Sequence, residues 1–121
     1  MKRALSDELF VLNGRWLFDS TSHYIVSLTD SRCVASLSPT GAQFLSSLVR
    51  SPQTIVHYGR MVEEPWALEA RLDHNGLEQI ADEVRQAIVK LDPSQTYFKT
   101  LPRLGYVLVV DARPHERNRT E

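Results

Sequence analysis

The first third of the sequence consists of short apolar runs separated by turn-forming residues. The first run is closed by Asn13-Gly14, a dipeptide that strongly favours a tight hairpin turn. The segments Asp19-Ser20-Thr21-Ser22 and Asp30-Ser31-Arg32 mark the next two turns. This pattern predicts an antiparallel meander of four short strands, at residues 9–12, 15–18, 23–29 and 33–37.

From residue 38 onwards the spacing of apolar residues becomes helical. Ser38 is suited to cap the amino end of a helix, and Pro39 fits its first position. Apolar residues then recur every three or four positions until Ser51-Pro52 ends this first helix. A second helix is predicted over residues 57–64, where the following proline stops it, and residues 66–73 are predicted as a loop.

A third and longer helix is predicted over residues 74–91. It begins near Asn75, which forms a variant of the capping box with Glu78, and it ends before Asp92-Pro93. One face is apolar and the opposite face is polar; the apolar residues are Leu77, Ala81, Val84 and Ile88, and the polar ones are Glu78, Gln79, Asp82, Glu83 and Gln86. Such a helix packs one side on a core and leaves the other side exposed.

A hairpin with a basic tip follows the third helix. Strand-forming residues at 97–101 and 106–110 flank a tight turn built on Pro102 and Gly105. Arg103 lies at the tip of this turn. The hairpin therefore carries a cation to the end of two paired strands, beside the preceding helix.

Length and composition fit one intracellular domain. The chain has 121 residues, 42% of them apolar, which is enough for one core without disulfides or metal. Its net charge of -1 is less basic than is usual for a free-standing nucleic-acid-binding domain. The single cysteine, Cys33, excludes an internal disulfide, fits a reducing cytoplasm and is expected to be a buried small hydrophobe within a strand. The expected organisation is an extension at 1–8, a folded domain at 9–110 and a disordered polar tail at 111–121.

The sequence carries no signal for membrane insertion or for catalysis. The amino terminus turns acidic before any apolar run, unlike a signal peptide, and the longest apolar run, Val107–Val110, is too short to span a bilayer. The histidines lie on separate elements and none has metal-ligand spacing to another or to Cys33. No nucleophile has a neighbouring base, and no glycine-rich phosphate loop is present. We therefore expect no metal, no cofactor, no catalytic residue and no enzymatic activity, and we interpret Trp16 and Trp66 as packing residues.

Four segments are similar to those of a known family: Leu37-Ser38-Pro39-Thr40, Ser51-Pro52-Gln53-Thr54-Ile55-Val56-His57, residues 77–88, and residues 97–106. In that order they resemble the start of the first helix, the link to the second helix, the recognition helix and the wing of OmpR-type bacterial regulators, with the ToxR/CadC subgroup closest. Trp66 falls where that family keeps a tryptophan. The resemblance implies an α+β winged-helix (winged helix-turn-helix) fold with a four-stranded amino-terminal sheet, three helices and a hairpin wing.

The resemblance also implies a cytoplasmic domain that binds double-stranded promoter DNA and regulates transcription. The helix at about 74–91 would lie in the major groove, and the wing at about 97–110 would contact the adjacent backbone or minor groove. Members of the ToxR/CadC kind are anchored in the inner membrane by a following segment, which this sequence does not contain. The residues at DNA-facing positions are Asn75, Gln79, Asp82, Glu83 and Arg85 on the helix, and Lys99, Thr100 and Arg103 on the wing.

These residue types suit two kinds of contact with DNA. The Gln79 amide can pair with adenine through two hydrogen bonds, and a carboxylate such as Asp82 can accept from the amino group of cytosine. Four others supply donors or positive charge to phosphates; they are Arg85, Lys99, Thr100 and Arg103. Leu104 replaces the second cation that is usual in the family's wing.

An excess of acidic residues leaves a second hypothesis open. The segment from Glu63 to Glu83 contains seven acids and one base, Arg71. A carboxylate about 4 Å from a phosphate repels it by roughly 1 kcal/mol in water. The first hypothesis is therefore a DNA-binding regulator that gains affinity by pairing, as a homodimer on DNA or on tandem sites. The alternative is a winged helix acting as a protein-interaction module, whose acidic surface at 63–83 docks a basic partner such as RNA polymerase or another regulator.

Overall fold

The computed structural model describes residues 9–115. Its strands are β1 (Leu9–Leu12), β2 (Trp16–Asp19), β3 (Tyr24–Ser27), β4 (Val34–Ser36), β5 (Val56–His57), β6 (Phe98–Leu101), β7 (Gly105–Leu108) and β8 (Ala112–Pro114). Its helices are α1 (Pro39–Val49), α2 (Tyr58–Val62), α3 (Pro65–Glu69) and α4 (His74–Leu91). The strands form two antiparallel sheets, and the fold is α+β as the sequence predicts.

The amino-terminal sheet contains the predicted meander. Its strand order is β4-β3-β2-β1-β8, and every neighbouring pair is antiparallel. Phe10 lies opposite Phe18, and Phe18 lies opposite Ile25, so that one row of buried side chains crosses three strands. Alternation along each strand directs this row towards the helices, since successive side chains point to opposite faces. The prediction of four amino-terminal strands is confirmed.

A fifth strand, β8, lies within the segment expected to be a disordered tail. Ala112–Pro114 pairs with β1, with Arg113 opposite Val11, and the backbone N–H of His115 donates to the Leu9 carbonyl at 2.8 Å. The prediction is wrong for these residues because an edge strand gains its stability from backbone pairing, which its polar side chains do not reveal. Residues 116–121 of the predicted tail and the predicted extension at 1–8 lie outside the described residues.

Helix α1 begins as its sequence predicts. The Ser38 hydroxyl accepts a hydrogen bond from the Gly41 backbone N–H at 2.9 Å, and Pro39 occupies the first turn. This cap satisfies one of the backbone donors that a helix start leaves free. Phe44, Leu45 and other apolar residues of α1 are buried against α4 and the wing.

The segment between α1 and α4 contains two short helices. The predicted second helix shortens to α2, and α3 begins at Pro65, inside the region predicted to be a loop. The prediction missed α3 because proline favours the first turn of a helix as well as stopping the previous one. Five residues also span less than two turns, so α3 has too few positions for a periodic pattern. Ala67 is nevertheless fully buried and attaches α3 to the core.

Helix α4 follows the predicted bounds with a different cap. The Asp73 side chain, rather than that of Asn75, caps the helix and accepts from the Gly76 backbone N–H at 2.8 Å. The prediction of Asn75 as the cap is wrong by two residues. The four apolar residues predicted to face the core, namely Leu77, Ala81, Val84 and Ile88, are all buried.

The carboxyl-terminal hairpin β6–β7, called the wing below, is the predicted one, and β5 adds a third strand outside β7. An aromatic cluster anchors this small sheet to α1. The Tyr106 ring meets the Phe44 ring edge to face at a centroid distance of 5.0 Å, and it meets the Tyr58 ring at 5.2 Å. The Phe98 ring contacts Phe44 at 5.5 Å. Such pairs add to the stabilisation from apolar burial.

The end of α4 is fixed by the buried carboxylate of Asp92, whose side chain is 4% exposed. It accepts hydrogen bonds at 2.6 Å from the Ser94 hydroxyl and at 2.6 Å from the Tyr97 hydroxyl. The Arg15 guanidinium, in the turn between β1 and β2, lies 3.5 Å away. The hydroxyls of Ser94 and then Tyr97 hold the pKa of Asp92 below its usual range. This cluster joins α4, the approach to the wing and the amino-terminal sheet.

Two sequence predictions about single residues have different outcomes. Cys33 is exposed in the turn before β4, and its Sγ lies 3.6 Å from Oδ2 of Asp30. The prediction of a buried strand cysteine is therefore wrong, because Cys33 closes the turn that starts at Asp30 and precedes β4, an edge strand that is itself largely exposed. Trp16 is buried and Trp66 is half-buried against the core, which confirms their interpretation as packing residues.

Candidate nucleic-acid interface

One exposed stripe of polar residues runs along α4, opposite its buried face. Asn75, Gln79, Asp82 and Gln86 are all exposed and follow one another at intervals of four, three and four residues. Residues at this spacing share one side of a helix. Three of the four carry an uncharged side-chain amide, which offers both a donor and an acceptor to a base edge.

Arg85 lies beside this stripe and joins it to the wing. Its Nη1 donates to Oδ1 of Asp82 at 2.7 Å, and its Nη2 donates to Oγ1 of Thr100 at 2.9 Å. Its guanidinium carbon lies 4.7 Å from the centroid of the Phe98 ring, within the range of a cation–π contact. The polar stripe of α4 and the strand β6 therefore form one continuous surface.

The wing carries its cation on a tight turn. The Leu104 backbone N–H donates to the Leu101 carbonyl at 2.9 Å, and Arg103 has a φ of 68°. Proline at the second residue together with a positive φ at the third is the pattern of a type II turn, in which the third residue is usually glycine or asparagine. Arginine is therefore held in a backbone conformation that costs it roughly 1–2 kcal/mol. Its side chain is exposed at the tip.

The two faces of β6 carry different predicted contacts. Thr100 and Phe98 share the face that meets Arg85, whereas Lys99 is exposed on the opposite face. Of the predicted wing residues, the structure thus brings Thr100 to α4 and leaves Lys99 and Arg103 in solvent.

Glu83 lies on the side of the stripe opposite to Arg85 and contacts the amino end of α1. Its Oε2 accepts from the Ser38 backbone N–H at 3.2 Å. A carboxylate is stabilised at a helix amino terminus by the free N–H groups and the helix dipole. This contact gives Glu83 a structural role within the protein.

The seven acids of residues 63–83 are spread over different parts of the surface. Asp73 caps α4, Asp82 pairs with Arg85, and Glu83 contacts the start of α1. The glutamates at 63, 64 and 69 are exposed on the segment formed by α2 and α3. Four of the seven acids therefore lie on α4 or its cap, within or beside the stripe, and the other three lie on the segment formed by α2 and α3.

Comparison with known proteins identifies this arrangement. The family described as "Transcriptional regulatory protein, C terminal" matches residues 32–108, from the turn before β4 to the end of the wing. The chain belongs to this family. The match confirms the resemblance to OmpR-type winged-helix regulators, and the family consists of transcription regulators, which confirms the prediction that this domain is not an enzyme.

Individual relatives agree with this assignment. The chain is 24% identical over 101 residues to the cholera toxin transcriptional activator of Vibrio cholerae, a match that covers 83% of this chain and 34% of that protein. The chain thus spans about a third of that relative's length. The DNA-binding domain of E. coli CadC superposes with a TM-score of 0.74 at 17% identity, covering 89% of this chain and 97% of the other. The C-terminal domain of the nisin resistance regulator NsrR superposes with a TM-score of 0.60 at 26% identity, covering 73% and 86%.

Gln86 completes the polar stripe of this family domain, although it was not among the predicted site residues. The helical spacing alone predicts that Gln86 lies on the same side of α4 as Gln79, seven residues earlier. The last helix residue that the resemblance placed on DNA is Arg85, one residue before Gln86.

Within residues 9–115, no group of histidine, cysteine, aspartate and glutamate side chains is arranged to hold a metal ion. None of the helices in that range has the length and apolar character needed to cross a membrane.

Proposed function

We propose that this domain binds double-stranded promoter DNA, with α4 in the major groove and the wing on the adjacent backbone or minor groove. The observation that carries the proposal is that the polar stripe of α4 continues into the wing through Asp82, Arg85 and Thr100. An α-helix fits the major groove, and amides and arginines are the side chains that read base edges and phosphates there. The superposition with the DNA-binding domain of E. coli CadC supports the same proposal.

The charge of the surface indicates weak binding by a single domain. Lys99 and Arg103 are exposed cations of the wing, while the guanidinium of Arg85 is already hydrogen-bonded to Asp82 and Thr100. We expect roughly three or four phosphates to be neutralised, and a correspondingly shallow dependence of affinity on salt. Pairing of two domains on adjacent sites supplies the remaining affinity by raising the effective concentration. The proposal places the domain in the cytoplasm, where promoter DNA is accessible.

A fluorescence titration at low salt tests the proposal directly. Fragments from the promoter region of the domain's own gene are compared with a random duplex of equal length. We expect tighter binding to at least one promoter fragment and a log–log salt slope of about −3 to −4. Equal affinity for the promoter fragments and the random duplex would refute sequence-specific binding.

Gln79→Ala is expected to relax the preference at one base pair of the site. The amide of Gln79 is exposed on the stripe, and a bidentate amide–adenine pair contributes roughly 1–3 kcal/mol of discrimination. The measurement is competition between duplexes that each differ at one position. Gln43→Ala, an exposed glutamine on α1, is the matched control and should leave all preferences unchanged. An unchanged profile for Gln79→Ala would place α4 outside the groove.

Arg103→Ala is expected to weaken binding to all duplexes alike, by roughly fivefold, and to lower the salt slope by about 1. Alanine has a Cβ atom as arginine does, so the positive φ of the turn strains both residues similarly. Arg113→Ala on β8 removes another exposed arginine, from the other sheet, and serves as the control. A loss confined to particular sequences would indicate base contact by Arg103 and would contradict its assignment to the backbone.

A second candidate function is docking of a basic protein partner on the segment formed by α2 and α3. The specific observation is Leu68, which is 62% exposed on α3 between the exposed carboxylates of Glu64 and Glu69. An apolar side chain with two neighbouring carboxylates suits a partner that presents basic groups beside an apolar contact. The proposed partner is RNA polymerase or another regulator, and this contact is compatible with DNA binding by α4.

Charge reversal of Glu63, Glu64 and Glu69 to lysine is expected to weaken transcription activation by at least fivefold without weakening DNA binding. The physical reason is that like charge across an interface rim opposes association. In vitro transcription with purified polymerase measures activation, and the DNA titration measures DNA binding. If the triple variant activates transcription like the parent, this surface has no role in docking polymerase.

A further inference from the structure

The guanidinium of Arg85 is largely occupied by contacts within the protein. Two of its nitrogens donate to side chains on either side of it, to Asp82 on α4 and to Thr100 on β6. One face of the guanidinium covers the Phe98 ring at 4.7 Å. The side chain is 36% exposed, so most of it lies between the helix and the wing.

The contacts of Arg85 use properties that only arginine has. A guanidinium is flat, stacks on an aromatic ring and directs several N–H groups in fixed directions. A lysine at this position keeps the charge but cannot at once stack on Phe98 and bridge Asp82 to Thr100. The charge alone therefore does not explain the arrangement.

We propose that Arg85 is a positioning residue that fixes the wing against α4, and that its role in DNA binding is to set the distance between the groove contacts and the wing contacts. The inference rests on the proposed function and refines it, because it assigns to Arg85 and Thr100 a role other than direct phosphate contact. Phosphate contacts hold a protein in register on the duplex. The wing can serve that purpose only if its tip keeps a constant position relative to the helix.

The contacts of Arg85 also predict how α4 and the wing depend on each other in DNA binding. Two binding elements held rigidly at the correct spacing act together, whereas a loose connection lowers the effective concentration of the second at its site. If Arg85 holds the wing, loosening it removes the benefit of Arg103 even though Arg103 itself is unchanged. An arginine that only neutralises a phosphate would contribute independently of Arg103.

Amide hydrogen exchange of the free protein tests the positioning role without DNA. In Arg85→Lys and in Thr100→Val, the β6–β7 amides are expected to exchange about tenfold faster, the equivalent of one lost hydrogen bond to a charged group. The amides of β1 to β3 should be unchanged in both variants, and Arg113→Lys on β8 should leave both sheets unchanged. Parent-like exchange throughout the wing of both variants would overturn the proposal.

DNA titration then tests the consequence for binding. Arg103→Ala is measured in the parent and in the Thr100→Val and Arg85→Lys backgrounds. We expect its fivefold effect to shrink below about twofold in both backgrounds, because the wing no longer reaches its site. A full fivefold effect in both backgrounds would overturn the proposal. Failure of the parent to bind any duplex would instead refute the proposed function, and the exchange experiment would still decide whether Arg85 holds the wing.

Discussion

Gly105→Ala is expected to destabilise the domain by at least about 3 kcal/mol, a large share of the stability of a small domain. A Cβ atom at this position would lie 2.0 Å from the carbonyl oxygen of Val56 and 2.9 Å from the Cα of His57. Both are backbone atoms of β5, which pairs with β7 at this point. Neither can move aside without breaking the three-stranded sheet, so the wing must separate from β5. Urea denaturation followed by tryptophan fluorescence gives the change in unfolding free energy.

The control for this prediction is Gly59→Ala in α2. A Cβ atom there meets nothing within 4 Å, and alanine is the better helix former by roughly 0.5–1 kcal/mol. Gly59→Ala should therefore be neutral or slightly stabilising in the same assay. A cost below about 1 kcal/mol for Gly105→Ala would show that β5 can separate from β7 without loss of the fold.

Asp92→Ala is expected to destabilise the domain by roughly 3 kcal/mol, because it removes a buried acceptor and leaves the hydroxyls of Ser94 and Tyr97 without their partner. Tyr97→Phe removes one of these bonds and should cost about half as much. Asp111→Ala removes an exposed carboxylate paired with Arg113 and should cost less than about 0.5 kcal/mol. Equal effects of Asp92→Ala and Asp111→Ala would contradict the structural role of the buried cluster.

The same carboxylate predicts a dependence of stability on pH. The hydrogen bonds from Ser94 and Tyr97 lower the pKa of Asp92 in the folded state. Because the folded pKa is below the unfolded value of about 3.9, the ionised group stabilises the fold above that pH, and the contribution is lost as the pH falls towards the folded pKa. The difference in unfolding free energy between the parent and Asp92→Asn should be largest near neutral pH and should narrow as the pH falls below about 4. A constant difference across that range would contradict the assignment.

The long elements of the fold follow from local patterns in the sequence. The apolar stripe of α4, the Ser38 cap of α1 and the turn between β6 and β7 are each determined by residues close together in the sequence. The elements that the sequence did not predict depend on other parts of the chain. Strand β8 is defined by pairing with β1, about a hundred residues earlier, and α3 is held by burial of Ala67.

The same difference between local and distant contacts applies to the candidate interface. A helical repeat places Asn75, Gln79 and Asp82 on the exposed side of α4, and the structure agrees. The repeat does not show that Glu83 meets Ser38 or that Arg85 meets Thr100, because those partners belong to other elements. Sequence reasoning therefore identified which side chains are available, while their actual partners required the packed structure. Direct contact of the predicted residues with DNA stays a prediction.

The pairing of β8 with β1 has a practical consequence for anyone who prepares this domain by recombinant expression. A fragment that ends at Val110, where the wing is complete, would lack the strand that covers the outer edge of β1. Exposed backbone groups of a strand edge recruit other chains, so such a fragment should self-associate. Any shortened version should keep Ala112–Pro114 if it is to avoid this self-association at high concentration.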